Sequence, residues 1–409
     1  MAPRLSAFRN PKVLDVGKAQ SLLDSSSIVL AYSVGEKHSW LFVYSSEGEL
    51  RCFGLKAGRK SLERAVDVFR GLIEARAEIP VLQEAGEALY RLLLEPASSL
   101  LEGKTRLIII PDGPLQILPF AALSIPEKQS SAFFVERFST AIVDSMSTLS
   151  LLRNGPPTPA GGSIVVFADP LIPDADRGVA LRGGSVSLPA SRREAVVVHK
   201  LFGKRVRLWV GREATRDAAL HLPEQTALLH FACHVRLDPR SPLDSAILLA
   251  SPPVEDGAGM PEAGALPAWE IMERIRLDGA LVSLSGCQTA LGRRWPGEGL
   301  VGLTRAFQLA GARAVLASLW KVEDDSTAEL MSIFYRAVSH GGALDESLRE
   351  AQLQCLHPER SDRSWWDELS RFLDPASSSC EQPRDWAAFT LRGAREWPGT
   401  GPDHSQISR

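Results

Sequence analysis

Two side chains in this sequence have the types and settings needed for acyl-transfer chemistry. Cys287 follows the apolar run LVSLS within LVSLSGCQTALG, residues 281–292. A structural thiol would lie inside such a run; this one comes where the backbone leaves a predicted strand. His234 ends a second run of the same kind, LLHFACHV at 228–235. A thiolate is a nucleophile, and an imidazole titrating near neutrality can take and return its proton. Along a strand His230 and His234 point to one face, Phe231 and Cys233 to the other. His234 stands at the exit and is expected to reach solvent and substrate, whereas His230 and Cys233 are assigned to packing. A lone histidine at a strand end or a lone cysteine in a turn is an ordinary structural residue. Finding both at the carboxyl ends of predicted parallel strands, where open α/β sheets bind their ligands, is what points to a dyad.

The elements that must position this pair are legible as an alternation. Residues 28–34, 39–45 and 49–54 read as a three-stranded meander, followed by helical patterns over 59–77 and 83–97. RLIIIPDG, 106–113, is a continuous apolar run suited to a strand buried on both faces. NGPPTPAGGS, 154–163, holds three prolines and three glycines and is the predicted linker. Beyond it strands are expected at 163–169, 205–210, 227–233, 279–285 and 313–320. Helices are expected near 191–202, 214–222, 299–310, 326–338 and 344–356. This alternation predicts an α/β sandwich with a mostly parallel sheet. The Pro/Gly-rich loop 251–267 interrupts it and is expected to be mobile before activation.

Composition removes several function classes. The chain has 409 residues, is 44% hydrophobic and carries a net charge of −3, which gives no electrostatic case for nucleic acid or an anionic membrane as the main partner. No apolar stretch has the length of a membrane span, and the basic start lacks the apolar core of a secretory signal. The five cysteines (Cys52, Cys233, Cys287, Cys355 and Cys380) are scattered without a CxxC pair, so a reduced cytoplasmic protein with neither a disulfide framework nor a zinc ribbon is expected.

The same segments resemble a known family. HFACHV (230–235) resembles the HFACHG segment of CHAT-family peptidases, the caspase-like group often found with tetratricopeptide repeats. LVSLSGCQTALG resembles their LVVLSACETGLG, and Cys287 lies 53 positions after His234, matching the caspase order with histidine about 50 residues upstream. IIIPDGPLQILPFAAL (108–123), LPASRREA (188–195), the stretch 297–335 and WAAFTLRG (386–393) also resemble family segments, so the likeness runs from about residue 100 to 395. It implies a caspase-like αβα sandwich of two caspase-like halves, pseudo-peptidase and catalytic. Residues 1–153 would be the non-catalytic half (meander, helices and the start of the CHAT region near 100), 161–396 the catalytic half, and 397–409 a disordered tail.

The activity implied is that of a cysteine endopeptidase making limited, regulated cuts in a protein partner, in a bacterial defence or cell-death system. Cys287 would be the nucleophile and His234 its acid–base partner, with the backbone N–H groups of Cys287 and Val235 holding the oxyanion. No metal and no cofactor are implied. The partners implied are a protein substrate, gasdermin-like or another effector, and a separate activating or sensor protein. Three departures stand out: Val235 replaces glycine, Gly286 replaces alanine and Gln288 replaces glutamate. A β-branched residue resists positive φ, so Val235 would impair the oxyanion hole if that geometry is required, whereas the other two changes read as mild. The similarity to separase would also make Asp324 or Asp325, in KVEDDST at 321–327, a carboxylate partner for a substrate arginine. The simpler expectation is that Asp325 or Ser326 caps the helix that follows.

Rival readings are weaker or of another class. GEGLVG, 297–302, is a literal GxGxxG with acidic residues about 20 positions on, but it does not open directly from a strand. No GxSxG elbow occurs, and HFACH lacks the glutamate of a zincin. A degenerate CHAT scaffold acting through protein–protein contacts is the serious alternative.

Overall fold

The structure is a computed structural model that describes residues 12–127, 131–172, 188–238, 240–251, 264–288, 296–360 and 380–397; for 287–288 and 296–301 it describes the backbone. Eleven strands form one sheet. They are β1 (Ser27–Val34), β2 (Ser39–Ser45), β3 (Arg51–Leu55), β4 (Arg106–Ile110), β5 (Ser139–Ile142) and β6 (Ser163–Ala168). After them come β7 (Val206–Val210), β8 (Thr226–Ala232), β9 (Leu281–Leu284), β10 (Ala314–Ser318) and β11 (Phe389–Gly393). The spatial order is β3-β2-β1-β4-β5-β11-β10-β9-β8-β6-β7. Only the meander pairs β1–β2 and β2–β3, and the pair β10–β11, run antiparallel. The caspase-like, mostly parallel α/β sandwich expected from the sequence is the observed fold.

Continuous apolar runs became interior strands for the reason expected: with helices on both faces, neither side of the strand meets water. All seven residues of β8 are buried, as are all five of β10. The outermost strands β3 and β7 carry mainly exposed or half-exposed residues. The helices used below are α1 (Arg59–Glu74), α2 (Ile79–Leu93), α3 (Pro189–Phe202), α4 (Pro296–Ala310), α5 (Asp324–Ser339), α6 (Leu344–Leu356) and α7 (Pro383–Trp386). The α3 and α5 helices pack together, and α5 is buried almost throughout, from Ser326 to Val338.

The spans expected as two halves share this one sheet. Their joint is β11, whose Arg392 pairs with Ile142 of β5 on one side while β10 pairs along its other edge. The predicted linker is a packed strap: Thr158 Oγ1 donates to the Gly279 carbonyl at 2.6 Å, and Arg313 Nη2 to that of Pro156 at 3.2 Å. Gly279 has φ +74°, and a Cβ there would meet the Pro156 oxygen at 2.5 Å, so the strap lies where only glycine fits. Two expectations need correction. Cys355 and Cys380 form a disulfide, so the chain is not fully reduced; the fold brings their Cα atoms to 5.0 Å although 25 positions separate them. Trp397, assigned to the disordered tail, is 6% exposed and donates from Nε1 to the Ala227 carbonyl at 3.0 Å, because its indole fills the core beside Phe202. The rest of that tail and most of the 251–267 loop (252–263) lie outside the described residues.

A buried guanidinium secures the first span to the second. Arg106 of β4 donates from Nε to Asp345 Oδ2 at 2.8 Å and from Nη1 to Asp24 Oδ2 at 2.6 Å, and also pairs with Glu346. Burial opposes the charge on Asp24, but hydrogen bonds from Ser26 and Ser27 and the charges of Arg106 and Arg395 outweigh it and hold its pKa down, from 3.8 to about 2. The stability this group contributes is therefore complete above about pH 4 and is lost as pH falls toward 2. Asp24→Asn should lack that acid limb in urea titrations run from pH 5 to pH 2. Arg106→Met, which strips the fully buried Asp345 carboxylate of its nearest partner, should cost about 3 kcal/mol at neutral pH in the same assay.

Candidate active site

The site is built at the carboxyl end of β8 and β9. Beyond the sheet, β8 continues through Cys233 and His234 into a short strand, Val235–Arg236, and β9 continues through Ser285 and Gly286 into another, Cys287–Gln288. These two short strands pair in parallel, with Val235 beside Cys287 and Arg236 beside Gln288. Neighbouring strands run about 4.8 Å apart, so the His234 backbone lies about 6 Å from that of Cys287. Residues 53 positions apart in the sequence thus become lateral neighbours at one strand exit.

Hydrogen-bond alternation fixes where the local N–H groups point. Val235–Arg236 also pairs antiparallel with Ala246–Leu248, and the Leu248 N–H donates to the His234 carbonyl at 2.8 Å. The next residue on an antiparallel ladder faces away from that partner. The Val235 N–H is therefore turned toward the Cys287–Gln288 strand, and the Cys287 N–H toward the opposite, outer side. Val235 takes no positive φ; among the described non-glycine residues only Arg76 and Asp169 do. The position is extended and its side chain is 2% exposed in the core, so valine fits the conformation found here. Gly286, by contrast, is not a mild change: a Cβ there would meet the Cys233 carbonyl oxygen at 2.1 Å, so the two strand exits touch backbone to backbone. His234 is itself 2% exposed, contrary to the expectation that it reaches solvent, because the short ladder folds over the strand end.

A polar network lies directly behind. His230, fully buried, has its Nδ1 2.8 Å from the Tyr335 hydroxyl on α5 and its Nε2 3.1 Å from Glu194 Oε2 on α3. Arg192 Nε donates to Asp169 Oδ2 at 2.7 Å, and Arg193 pairs with Asp325. Asp169 follows β6 with φ +45°, and its Oδ1 accepts the Leu188 N–H at 2.8 Å. Cys233 is buried; burial, with the nearby charges of Glu194 and Asp169, pushes its thiol pKa well up, and the thiol donates to the Phe167 carbonyl at 3.4 Å. Such a thiol stays protonated and cannot serve as the nucleophile.

The acidic candidates divide. The residue before α5 is Glu323, not Asp325 or Ser326, so the capping expectation misplaces the helix start by two or three residues. Asp324 and Asp325 occupy the first turn, where carboxylates complement the helix dipole. Asp325 is committed to Arg193. Asp324 is half-buried; burial first, then the charge of Glu194, raises its pKa to about 6 against the pull of Lys321 and Arg193. GEGLVG lies within α4 rather than in a strand-to-helix loop, and a Cβ at Gly302 would meet the Pro242 oxygen at 2.7 Å. Gly302 serves close packing there. Among the described residues no group of three or more histidine, cysteine, aspartate or glutamate side chains could hold a metal.

A model of the CHAT domain matches residues 83–394. The chain belongs to the CHAT-domain family. Tetratricopeptide repeat protein 28 of Mus musculus is 29% identical over 347 residues, covering 75% of this chain, and its Homo sapiens counterpart is 28% identical over 351. The chain spans about 13% of the length of these curated relatives. Separase of Saccharomyces cerevisiae, solved in complex with securin, is similar in fold, with a TM-score of 0.53 at 10% identity over 92% of this chain and 31% of that one. The CHAT fold thus brings His234 and Cys287 together at the backbone and adds Asp169, Arg193, Glu194 and Tyr335, to which the sequence reading gave no role. A signal for one of them existed: Arg193, with Arg192, stands near the start of a helix, the end that disfavours cations, which marks both as spent on partners.

Two substitutions test this geometry. Gly286→Ala should destabilise the protein by about 1–3 kcal/mol, since it forces backbone apart at the strand exits. Val235→Gly should lose about 2 kcal/mol by removing a buried side chain from an extended position. Both are read from urea midpoints, and a neutral Gly286→Ala would show that the exits are not in contact.

Proposed function

We propose that this CHAT-domain protein is a cysteine endopeptidase using His234 and Cys287. The observation that carries the reading is the parallel pairing of Val235 with Cys287, which sets the exit of the histidine strand against that of the cysteine strand. The Cys287 thiolate attacks the scissile carbonyl and forms a thioester; His234 protonates the departing amine and then takes a proton from the water that hydrolyses the thioester. The outward-facing Cys287 N–H is the oxyanion donor, a contact of a kind worth about 10²–10³ in rate. The Val235 N–H joins it only where the two-residue ladder opens. His234 is almost fully covered, so a peptide reaches it after a local rearrangement, which supports activation by a separate partner protein. The substrate is then a protein effector cut at a limited number of sites, and a defence or cell-death setting fits such a held-back enzyme.

A second reading is favoured by the same burial: a scaffold that keeps the fold and acts by protein–protein contact. An electrophilic peptide probe separates the two. Cys287→Ala and His234→Ala should each abolish labelling and cleavage with the fold retained by circular dichroism, whereas Cys233→Ala should keep activity. Labelling at Cys233 in place of Cys287 would overturn the assignment.

We assign the substrate side-chain pocket to Asp324, since Asp325 is held by Arg193. A carboxyl with a pKa of about 6 is neutral below that pH and charged above it. Preference for arginine over leucine before the cut should therefore rise as pH increases from 5 to 7. That rise should vanish in Asp324→Asn when kcat/KM is measured on paired peptides.

A further inference from the structure

Helix α1, remote in sequence from both catalytic candidates, grips the segment that leads from β10 into α5. Arg70 is 6% exposed; its Nη2 donates to the Leu319 carbonyl at 3.1 Å, and its guanidinium carbon lies 5.7 Å from the centre of the Trp320 ring. Arg76, just past the end of α1, takes φ +55°, a conformation unfavourable for a residue with a Cβ. From there its Nη2 donates to Glu323 Oε1 at 2.8 Å and stands 3.7 Å from Asp385 Oδ1. Glu323 precedes α5 but makes no capping bond to it; its carboxylate is spent on Arg76 and, at 3.3 Å, on Arg384. Trp320 Nε1 donates to the Arg384 carbonyl at 2.8 Å. Residues 319–323 are thus held by a backbone carbonyl, a ring and a carboxylate, and the next residue is Asp324.

These contacts are poor devices for stability alone. Arg76 and Glu323 are half-exposed, where ion pairs contribute little, and Arg76 adopts a strained backbone to reach its partner. Asp385 is 1% exposed beside them, a carboxylate that burial penalises. What they do secure is placement: three anchors of different chemistry fix a five-residue segment that leads directly into Asp324.

We propose that Arg70 and Arg76 are positioning residues for the substrate pocket, so that the first span of the chain, which lacks both catalytic candidates, sets side-chain selection at the cut. The proposal rests on the peptidase reading and deepens it. Losing Arg76 moves Asp324 without touching the dyad, so it weakens selection and leaves the thiol's intrinsic reactivity in place.

The test uses the full chain with Arg76→Ala, Arg76→Lys, Glu323→Gln and the Arg76→Ala/Glu323→Gln double variant. Hydrogen exchange over residues 319–324 needs no activity; it should quicken roughly threefold to tenfold in either single alanine or glutamine variant, with no further gain in the double. Alkylation of Cys287 is then timed with iodoacetamide and with a peptidyl chloromethyl ketone bearing arginine before the reactive group. The arginyl reagent should slow by a similar factor in Arg76→Ala, iodoacetamide should stay within twofold, and Arg76→Lys should recover part of the loss. Unchanged exchange in a protein that both reagents label overturns the clamp and leaves the peptidase reading standing. Equal slowing of both reagents overturns the positioning role. A parent chain in which Cys287 resists even iodoacetamide, which needs no peptide-binding rearrangement, overturns the peptidase reading, and the selectivity claim falls with it.

Discussion

A carboxylate and an imidazole buried together behind the candidate dyad are the constraint around which this molecule is arranged. Glu194 is 3% exposed and His230 fully buried, with 3.1 Å between their facing atoms. Neither polar group can be left alone in such a place, since an uncompensated buried charge costs several kcal/mol. The Tyr335 hydroxyl supplies the second partner of the imidazole. Through these contacts α3, β8 and α5 cannot move independently. The strand that ends in His234 is therefore anchored on its covered face four residues before its exit.

The same helix turn does more than hold His230. Arg192, Arg193 and Glu194 are consecutive, and each reaches a different element: Asp169 after β6, Asp325 at the start of α5, and His230 within β8. Two cations close to the start of the helix are disfavoured by its dipole, a cost offset by partners placed to receive them. This part of α3 thereby ties together the exit of β6, the middle of β8 and the start of α5. This is preorganisation by charge rather than by apolar packing, and it lies at the edge of the sheet where function is proposed.

Continuity across the sheet rests on the last strand. β11 passes between β10 and β5, so the two spans of the chain close on each other only once the C-terminal residues are in place. Burial lowers the Arg392 pKa to about 10, and the side chain meets that penalty with bonds from Nη2 to the Gln116 carbonyl at 2.6 Å and from Nη1 to Gln116 Oε1 at 3.2 Å. The disulfide between Cys355 and Cys380 ties the end of α6 to the approach to this strand.

Much of this was set by the sequence alone. Apolar runs such as RLIII and ALLHFA suited interior strands, and the segments that became α5 and α6 read as helical, because hydrophobic spacing is a local property of the chain. The candidate dyad was readable for the same reason: a strand exit is a local feature, and His234 and Cys287 each mark one. What the sequence could not fix were relations between distant segments. The insertion of β11 in the middle of the sheet, the Cys355–Cys380 bond and the pairing of Arg193 with Asp325 each depend on a through-space distance that no local pattern encodes. Val235 shows the difference in one residue. Its β-branch says only which backbone conformations it resists; the ladder with Ile247 and Cys287 shows that its backbone is extended, a conformation that suits valine well.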